Sequence, residues 1–379
     1  MKRIYFDISA TTPLDKQVAN FVHELQQNIY GNPSSIHREG QSARALIEKA
    51  RRQLASVLNS KPDEIIFTSS GTEANNMALK GVLKPGDHCI TSTYEHPAIL
   101  QIIPFLEKQG VEFSLIKPDN DGIVKIEYVI PKIRKNTRLI SIMHVNNELG
   151  TINPIKEIAE FSHKEGILFH SDAVQALGKI SVDVNEIPAD FLSMSSHKLY
   201  GPKGTGALFK RNGINLNPLI HGGGQEANLR ASTENITGIA GFGFAAELSN
   251  INMEKNTAHI QEMESHFLIC LDRLGIIYTI NGKKRVPGVF NITFHGLDAQ
   301  NLVMQMDMNG IGISFGAACA SGTAKASHML LDMGLNKDEA LSTVRISFGK
   351  IHSKRDIETV TSAIGNIIAL SNKKETVNA

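Results

Sequence analysis

Short apolar runs alternate with longer amphipathic runs through the first 210 or so residues, and this alternation constrains the fold most. The apolar runs predict strands at 64–68, 87–91, 139–143, 167–170, 191–194 and 206–209. The amphipathic runs between them predict helices, among them 42–58, 98–109 and 155–163. Such alternation is typical of an α/β fold with a mostly parallel central sheet covered by helices on both faces. Ligands of these sheets bind beyond the carboxyl ends of the strands.

The pattern changes after about residue 255. It predicts one strand, at 289–294, among helices at 258–274, 299–308, 337–344 and 356–370. We interpret this part as a smaller α+β domain. A run of small residues between 315 and 324 contains Cys319 and offers few side chains for packing, so we expect it to be mobile.

Composition excludes several classes of protein. With 39 basic and 38 acidic residues, the net charge of +1 argues against direct nucleic-acid binding. No apolar stretch approaches the length of a membrane span, and Asp7 interrupts the first apolar run. The three cysteines, Cys89, Cys270 and Cys319, form neither a disulfide framework nor a zinc-binding pair. We therefore expect a cytoplasmic protein without a metal site.

Three polar clusters follow predicted strands. In the first, residues 67–76, a strand ends and a helix begins at Thr72, which is either an anion site or an ordinary helix cap. In the second, Asp172 closes a strand and is either a buried carboxylate with a cationic partner or a helix cap. In the third, Lys198 follows a strand and is either a desolvated nucleophile or a surface lysine.

Together the three clusters predict a site for pyridoxal 5'-phosphate (PLP). This cofactor needs a lysine for its covalent attachment, a carboxylate for its ring N–H and a donor-rich helix start for its phosphate. Lys198, Asp172 and the helix start at Thr72 supply these groups. The sequence has no zinc-binding, P-loop or dinucleotide-binding motif that would favour another cofactor. The glycines at 222–224 do not have the spacing of the dinucleotide-binding motif.

The sequence resembles the cysteine desulfurases, PLP-dependent enzymes of fold type I in the class V aminotransferase group, over nearly its whole length. Matching motifs occur in order at 7–13, 31–34, 94–96, 146–150, 196–204, 221–224 and 344–349. The resemblance implies a large PLP-binding domain at 15–255. It also implies a small domain, formed by 1–14 and 256–379, that carries the catalytic cysteine loop at about 314–327.

The resemblance also implies the role of each site residue. Lys198 would bind the cofactor covalently, His96 would stack on its ring and act as an acid or base, and Asp172 would pair with the ring nitrogen. Further cofactor contacts would come from Gly71, Thr72, Ser195 and His197 around the phosphate, and from Asn147 and Gln175 near the phenolic oxygen. Arg345 would bind the substrate carboxylate, with Asn147 beside it. Thr233 would reach the phosphate of a partner subunit, which implies a homodimer.

The implied reaction converts L-cysteine to L-alanine and leaves a persulfide on Cys319, which needs a lowered pKa or a nearby base such as His96. The sulfur would then pass to an acceptor protein for Fe–S assembly, tRNA thiolation or DNA phosphorothioation. Two alternatives remain: a selenocysteine lyase or related transaminase, and a sulfur-relay recruitment subunit with secondary turnover. Cys89 and Cys270 lie in apolar runs, where we expect inert burial.

Several positions depart from the family pattern. Ala227 and Asn228 stand where relatives usually carry Arg-Gly, and Ser232 stands where Gly is common. Ile8 replaces a common Tyr, and Lys350 replaces a frequent Arg. The first three changes fall in the segment expected to cross a dimer interface and are compatible with a specialised paralogue.

Overall fold

The structure is a computed structural model that describes residues 3–315 and 326–378. Its strands are β1 (Ile4–Tyr5), β2 (Ile65–Thr68), β3 (His88–Ser92), β4 (Glu112–Ile116), β5 (Thr137–Ser141), β6 (Leu168–Asp172), β7 (Phe191–Ser195), β8 (Gly206–Lys210), β9 (Tyr278–Asn281), β10 (Val289–Phe294), β11 (Ile311–Gly312) and β12 (Thr343–Ser347). Its helices are α1 (Lys16–Asn28), α2 (Arg38–Leu58), α3 (Gly71–Val82), α4 (Pro97–Leu100), α5 (Ile103–Glu107), α6 (Ile126–Val129), α7 (Ile155–Lys164), α8 (Ile236–Ile251), α9 (Met253–Arg273), α10 (Ala299–Met308), α11 (His328–Asp332), α12 (Lys337–Leu341) and α13 (Lys354–Asn378).

A seven-stranded sheet in the order β2-β8-β7-β6-β5-β3-β4 organises the larger part of the described chain. Every neighbouring pair is parallel except the two that involve β8, which runs antiparallel to β2 and β7. The predicted α/β fold with a mostly parallel sheet is therefore confirmed. Strands β2, β3, β5, β6 and β7 all point the same way, so their carboxyl ends meet at one edge.

Side chains alternate across this sheet and supply two apolar cores. Ile65 and Phe67 enter the core that α2 and α8 cover, while Ile66 between them enters the core under α3. In β7, Leu192 enters the core that α2 and α8 cover, and Phe191 enters the core under α3. Burial on both faces explains why these strands have continuous apolar sequences.

A third core belongs to a smaller sheet, β12-β10-β9, whose strand pairs are antiparallel. Helices α9, α10 and α13 contribute to it, as does Phe6 near the amino terminus. Strand β1 pairs in parallel with β11, some 300 residues along the chain. These contacts agree with an N-terminal segment that joins the C-terminal part, although the boundaries at 14/15 and 255/256 stay a prediction.

Some local predictions were wrong. The helix predicted at 98–109 is two short helices, α4 and α5, because Pro104 lacks the N–H that a continuing helix would need. The helix predicted at 337–344 ends at Leu341, and Thr343 already begins β12. Helix α3 begins at Gly71, one residue before the predicted start, because Ser70 is its N-cap.

Candidate active site

The carboxyl ends of β2, β6 and β7 converge on a cavity of about 250 Å³. Most of the predicted site residues line it, namely Gly71, Thr72, His96, Asn147, Asp172, Gln175, Ser195, His197 and Lys198. These residues lie up to 127 positions apart in the sequence, between Gly71 and Lys198, and the sheet brings them together. The structure therefore assembles nine of the predicted residues at one site, whereas the role of each stays a prediction.

Lys198 follows β7 on a single 3-10 turn that projects it into the cavity. Its ammonium group donates to the backbone carbonyls of Ser9 and Ala10, each at 2.7 Å. Burial, assisted by the positive charge of Arg345, lowers the pKa of Lys198 to about 8. A substantial fraction of Lys198 is thus neutral near physiological pH, which is the form that attacks a carbonyl carbon.

Asp172 ends β6 as a buried carboxylate held by two donors. The side-chain amide of Asn75 donates to its Oδ2 at 2.7 Å, and the backbone N–H of Val174 donates to its Oδ1 at 2.9 Å. These bonds fix the carboxylate at the edge of the cavity. An ionised carboxylate in this position can pair with a protonated ring nitrogen.

His96 caps the short helix α4, since its Nδ1 accepts from the N–H of Ala98 at 3.0 Å. That bond makes Nδ1 an acceptor and assigns the proton of the neutral ring to Nε2. Burial lowers the pKa of His96, although the charge of Asp172 partly opposes the shift. His96 is therefore a neutral imidazole that can accept a proton only after its Nε2–H has moved.

The phosphate end of the predicted site has free donors. Among hydrogen bonds of the described residues, the N–H groups of Gly71 and Thr72 at the start of α3 have no acceptor. The hydroxyl of Ser195 is buried and has no partner either. His197 lies next to them with its Nδ1 bonded to the Thr11 hydroxyl at 3.0 Å, and burial lowers its pKa to about 4.

This donor set fits PLP. The free N–H groups and the unpartnered hydroxyl suit a phosphate, Asp172 suits a ring N–H, and Lys198 suits an aldehyde carbon. When bound, PLP supplies an electron sink that stabilises negative charge at the substrate α-carbon.

Arg345, which is predicted to bind the substrate carboxylate, already has two protein partners. Its guanidinium donates to Asp7 Oδ1 at 2.7 Å and to the backbone carbonyl of Asn147 at 2.9 Å. Its Nε is buried without a partner. A substrate carboxylate would therefore have to compete with Asp7 for this cation, or bind at the remaining N–H.

Thr233 lines a separate cavity, with Arg230 and Glu234, and is exposed. The segment before it is anchored by Glu226, which is buried and accepts from Arg51 at 2.7 and 2.8 Å and from the Phe67 N–H at 2.8 Å. This position outside the main cavity is compatible with the predicted contact to a partner subunit.

The departures Ala227 and Asn228 follow Glu226 directly. Glu226, Ala227 and Asn228 have φ values of 46°, 55° and 66°. Three consecutive residues other than glycine in the left-handed region are strained. The anchoring of Glu226 holds this turn in place.

The cysteines differ in their surroundings. Cys89 is fully buried in β3, as predicted, and burial raises its pKa far above the ordinary value. Cys270 is only half-buried, since it lies beside His266 at 3.8 Å on a side of α9 that solvent reaches, and its predicted burial was wrong. Cys319 lies outside the described residues.

Sequence reasoning missed two contributions to the site. The carbonyl cage of Ser9 and Ala10 could not be predicted, because any residue supplies a carbonyl. Asn75 could have been found, since it lies one helical turn after Gly71 on the buried face of α3.

Comparisons with known proteins agree with this architecture. The family model described as aminotransferase class V matches residues 4–360. The chain is 42% identical to the cysteine desulfurase IscS of Dictyoglomus turgidum over 97% of this chain and 95% of the relative. A solved NifS-like protein superposes with a TM-score of 0.91 at 33% identity, covering 97% of this chain and 100% of the other. SspA, solved in complex with cysteine, has a TM-score of 0.81 at 37% identity, covering 91% and 98%.

In the described residues, no helix has the length and apolar character needed to cross a bilayer. The match of the family model, the identity to curated relatives and the assembled lysine–aspartate cavity lead to one conclusion. The chain belongs to the PLP-dependent cysteine desulfurases of the class V aminotransferase family.

Proposed function

We propose that the chain removes sulfur from L-cysteine as a persulfide on Cys319 and releases L-alanine. The C–S bond of the substrate breaks, its sulfur forms a bond to the Cys319 thiolate, and protons from the site complete L-alanine. One observation carries the proposal: Lys198, with its pKa lowered to about 8, shares one cavity with Asp172 and with the free donors of α3. The cysteine bound by the related SspA supports this substrate.

Lys198 has two tasks in this proposal. Its neutral amine would hold the cofactor, and the same nitrogen, when free, would accept the substrate α-proton. The carbonyls of Ser9 and Ala10, both 2.7 Å away, hold the ammonium form in place between these events. Asp172 keeps a ring N–H charged, because Asn75 and Val174 fix its two oxygens.

His96 and Arg345 serve the substrate. Burial favours the neutral imidazole of His96 as its resting form, so His96 acts as a base once its proton has moved from Nε2, and as an acid in the protonated form that results. The guanidinium of Arg345 binds the substrate carboxylate if that group displaces Asp7, with Asn147 beside it. A bidentate guanidinium–carboxylate pair fixes the orientation of the substrate.

We further propose a cytoplasmic homodimer in which Thr233 contacts the partner's cofactor phosphate. The persulfide sulfur passes to an acceptor protein that serves Fe–S assembly, tRNA thiolation or DNA phosphorothioation. The exposed position of Thr233 in its own cavity supports the first part. Sedimentation of the purified protein tests the dimer.

The test of the activity measures alanine and sulfide from L-cysteine under limiting reductant. The Cys319→Ala variant should lose persulfide and most sulfide but keep the visible absorption of bound PLP. The Lys198→Ala variant should lose that absorption as well. Full alanine and sulfide from Cys319→Ala would refute the persulfide and favour a lyase of the selenocysteine type, while a wild-type protein that takes up no PLP would refute the whole proposal.

A further inference from the structure

A second lysine, Lys179, lies beside the candidate active site and has no carboxylate partner in the described part of the chain. Its ammonium group instead donates to Oε1 of Gln175. It lines a small cavity of about 40 Å³ together with Lys198, Tyr200 and Lys350. Because two other lysines line the same cavity, charge pairing does not explain why a lysine occupies position 179.

A tight turn brings Lys179 back to Gln175. The chain leaves β6 at Asp172 and turns through residues 173–178, and the N–H of Lys179 bonds to the carbonyl of Ala176 at 3.0 Å. Gly178 has φ +79°, and a Cβ there would lie 2.9 Å from Leu199. Only glycine meets both demands, so the backbone fixes where Lys179 points.

The contacts of Gln175 fix the orientation of its amide. The ammonium form of Lys179 can only donate, and the carbonyl of Ser9 can only accept. The assignment that satisfies both places Oε1 toward Lys179 and Nε2 toward Ser9, where the distance is 2.8 Å. Without Lys179, the bond to the Ser9 carbonyl alone opposes a half-turn of the amide that would present its oxygen to the cavity.

The amide of Gln175 and the amine of Lys198 share one hydrogen-bond acceptor. The carbonyl of Ser9 accepts from Gln175 Nε2 and from Lys198 Nζ. The NH₂ group of Gln175 therefore faces the position where Lys198 binds the cofactor, and Gln175 lines that cavity.

The donor role of Lys179 does not depend on its charge. The residue as a whole is half-buried, but desolvation of its ammonium group lowers the pKa to about 7, and the charges of Lys198 and Arg345 add to this shift. Both the charged and the neutral amine carry N–H groups, so the bond to Oε1 persists in either state.

We propose that Lys179 is a positioning residue that orients the amide of Gln175 so that its NH₂ group donates to the phenolic oxygen of the cofactor. The inference rests on the proposed function, in which Gln175 contacts that oxygen. A donor at this oxygen withdraws electron density and disfavours a proton on Lys198 Nζ once PLP is bound. Loss of Lys179 should therefore raise the pH at which that nitrogen titrates.

The test is a pH titration of the visible absorption of the PLP-loaded protein. Lys179→Met should raise the midpoint by about 0.5–1 pH unit, the size expected when one hydrogen bond is lost. Gln175→Ala should produce a similar rise. Lys164→Met, on the exposed end of α7, is the matched control and should leave the midpoint unchanged.

The decisive variant combines Lys179→Met with Gln175→Ala. If Lys179 acts through Gln175, its substitution shifts the midpoint less than half as far in the Gln175→Ala background as in the wild type. A shift at least half as large would show a direct charge effect and overturn the proposal, as would an unchanged midpoint in Lys179→Met. Lys179→Ala carries the same comparison if the Met variant fails to fold. Failure of the proposed function would show separately, as wild-type protein that binds no PLP.

Discussion

Loss of the Glu226 carboxylate should destabilise the larger part of the molecule far more than loss of a neighbouring carboxylate. Glu226 accepts three hydrogen bonds, two from the Arg51 guanidinium and one from the Phe67 N–H. Its side chain is 2% exposed and that of Arg51 is 11% exposed. In Glu226→Ala, the Arg51 guanidinium loses its buried carboxylate, and the Phe67 N–H loses its acceptor.

The structure sets the size of this effect. Removal of one partner from a buried ion pair costs about 3–5 kcal/mol. Arg51 keeps a 2.6 Å bond to the Ile65 carbonyl, so we expect the lower end, a loss of about 3 kcal/mol in the free energy of unfolding. In a chain of this length, that loss corresponds to a fall in Tm of roughly 4 °C.

Urea and thermal unfolding followed by circular dichroism measure the effect. The control is Glu48→Ala, because Glu48 contacts the same guanidinium at 3.4 Å but is 39% exposed, and should cost less than about 1 kcal/mol. The double variant Arg51→Met/Glu226→Leu should recover most of the stability, since it leaves no buried charge. Equal losses in Glu226→Ala and Glu48→Ala, or a double variant as unstable as Glu226→Ala, would refute the reasoning.

Three further predictions follow from the site and from the strained turn. The rate of PLP uptake by the apoprotein should rise with pH, reach half of its maximum near pH 8 and level off about one unit higher, because the lowered pKa of Lys198 sets the fraction of neutral amine; a stopped-flow absorbance series checks this. Asn75→Ala removes the donor to Asp172 Oδ2 and should weaken PLP binding roughly fivefold to tenfold in an equilibrium titration. Asn76→Ala, which removes a half-buried amide that bonds to the Thr72 carbonyl and not to Asp172, should weaken it less. Ala227→Gly should stabilise the protein by up to about 1 kcal/mol in urea unfolding, because φ is 55° there, whereas the same exchange at Ala43 inside α2 should destabilise it.

The sequence predicted those parts of the fold where local pattern and tertiary environment agree. The strands at 65–68 and 191–195 were found because burial on both faces makes them continuously apolar. Strand β4 was missed, since it lies at the edge of the sheet and its Glu112 and Leu115 are exposed. Its mixed sequence carries no strong strand signal.

The candidate site was predictable where chemistry depends on side chains. The residue types that PLP needs occur at or just after the ends of strands, namely Lys198, Asp172 and the residues that begin α3. The state of Arg345 was not predictable, because its contacts with Asp7 and with the Asn147 carbonyl depend on how distant segments pack. Backbone acceptors such as the Ser9 carbonyl leave no trace in the sequence at all.

The contacts of the amino-terminal segment place a constraint on biosynthesis. The carbonyls of Ser9 and Ala10 lie 189 and 188 residues before Lys198, from which they accept, and β1 needs β11 as its partner. A ribosome that has released the chain as far as β8 exposes the lysine-bearing turn without β11, on which the amino-terminal strand must dock. Closure of such distant contacts is slow and comes late in folding. Cofactor capture in its final geometry therefore awaits the synthesis of β11, and a chain that stops before this strand lacks the docked amino-terminal segment.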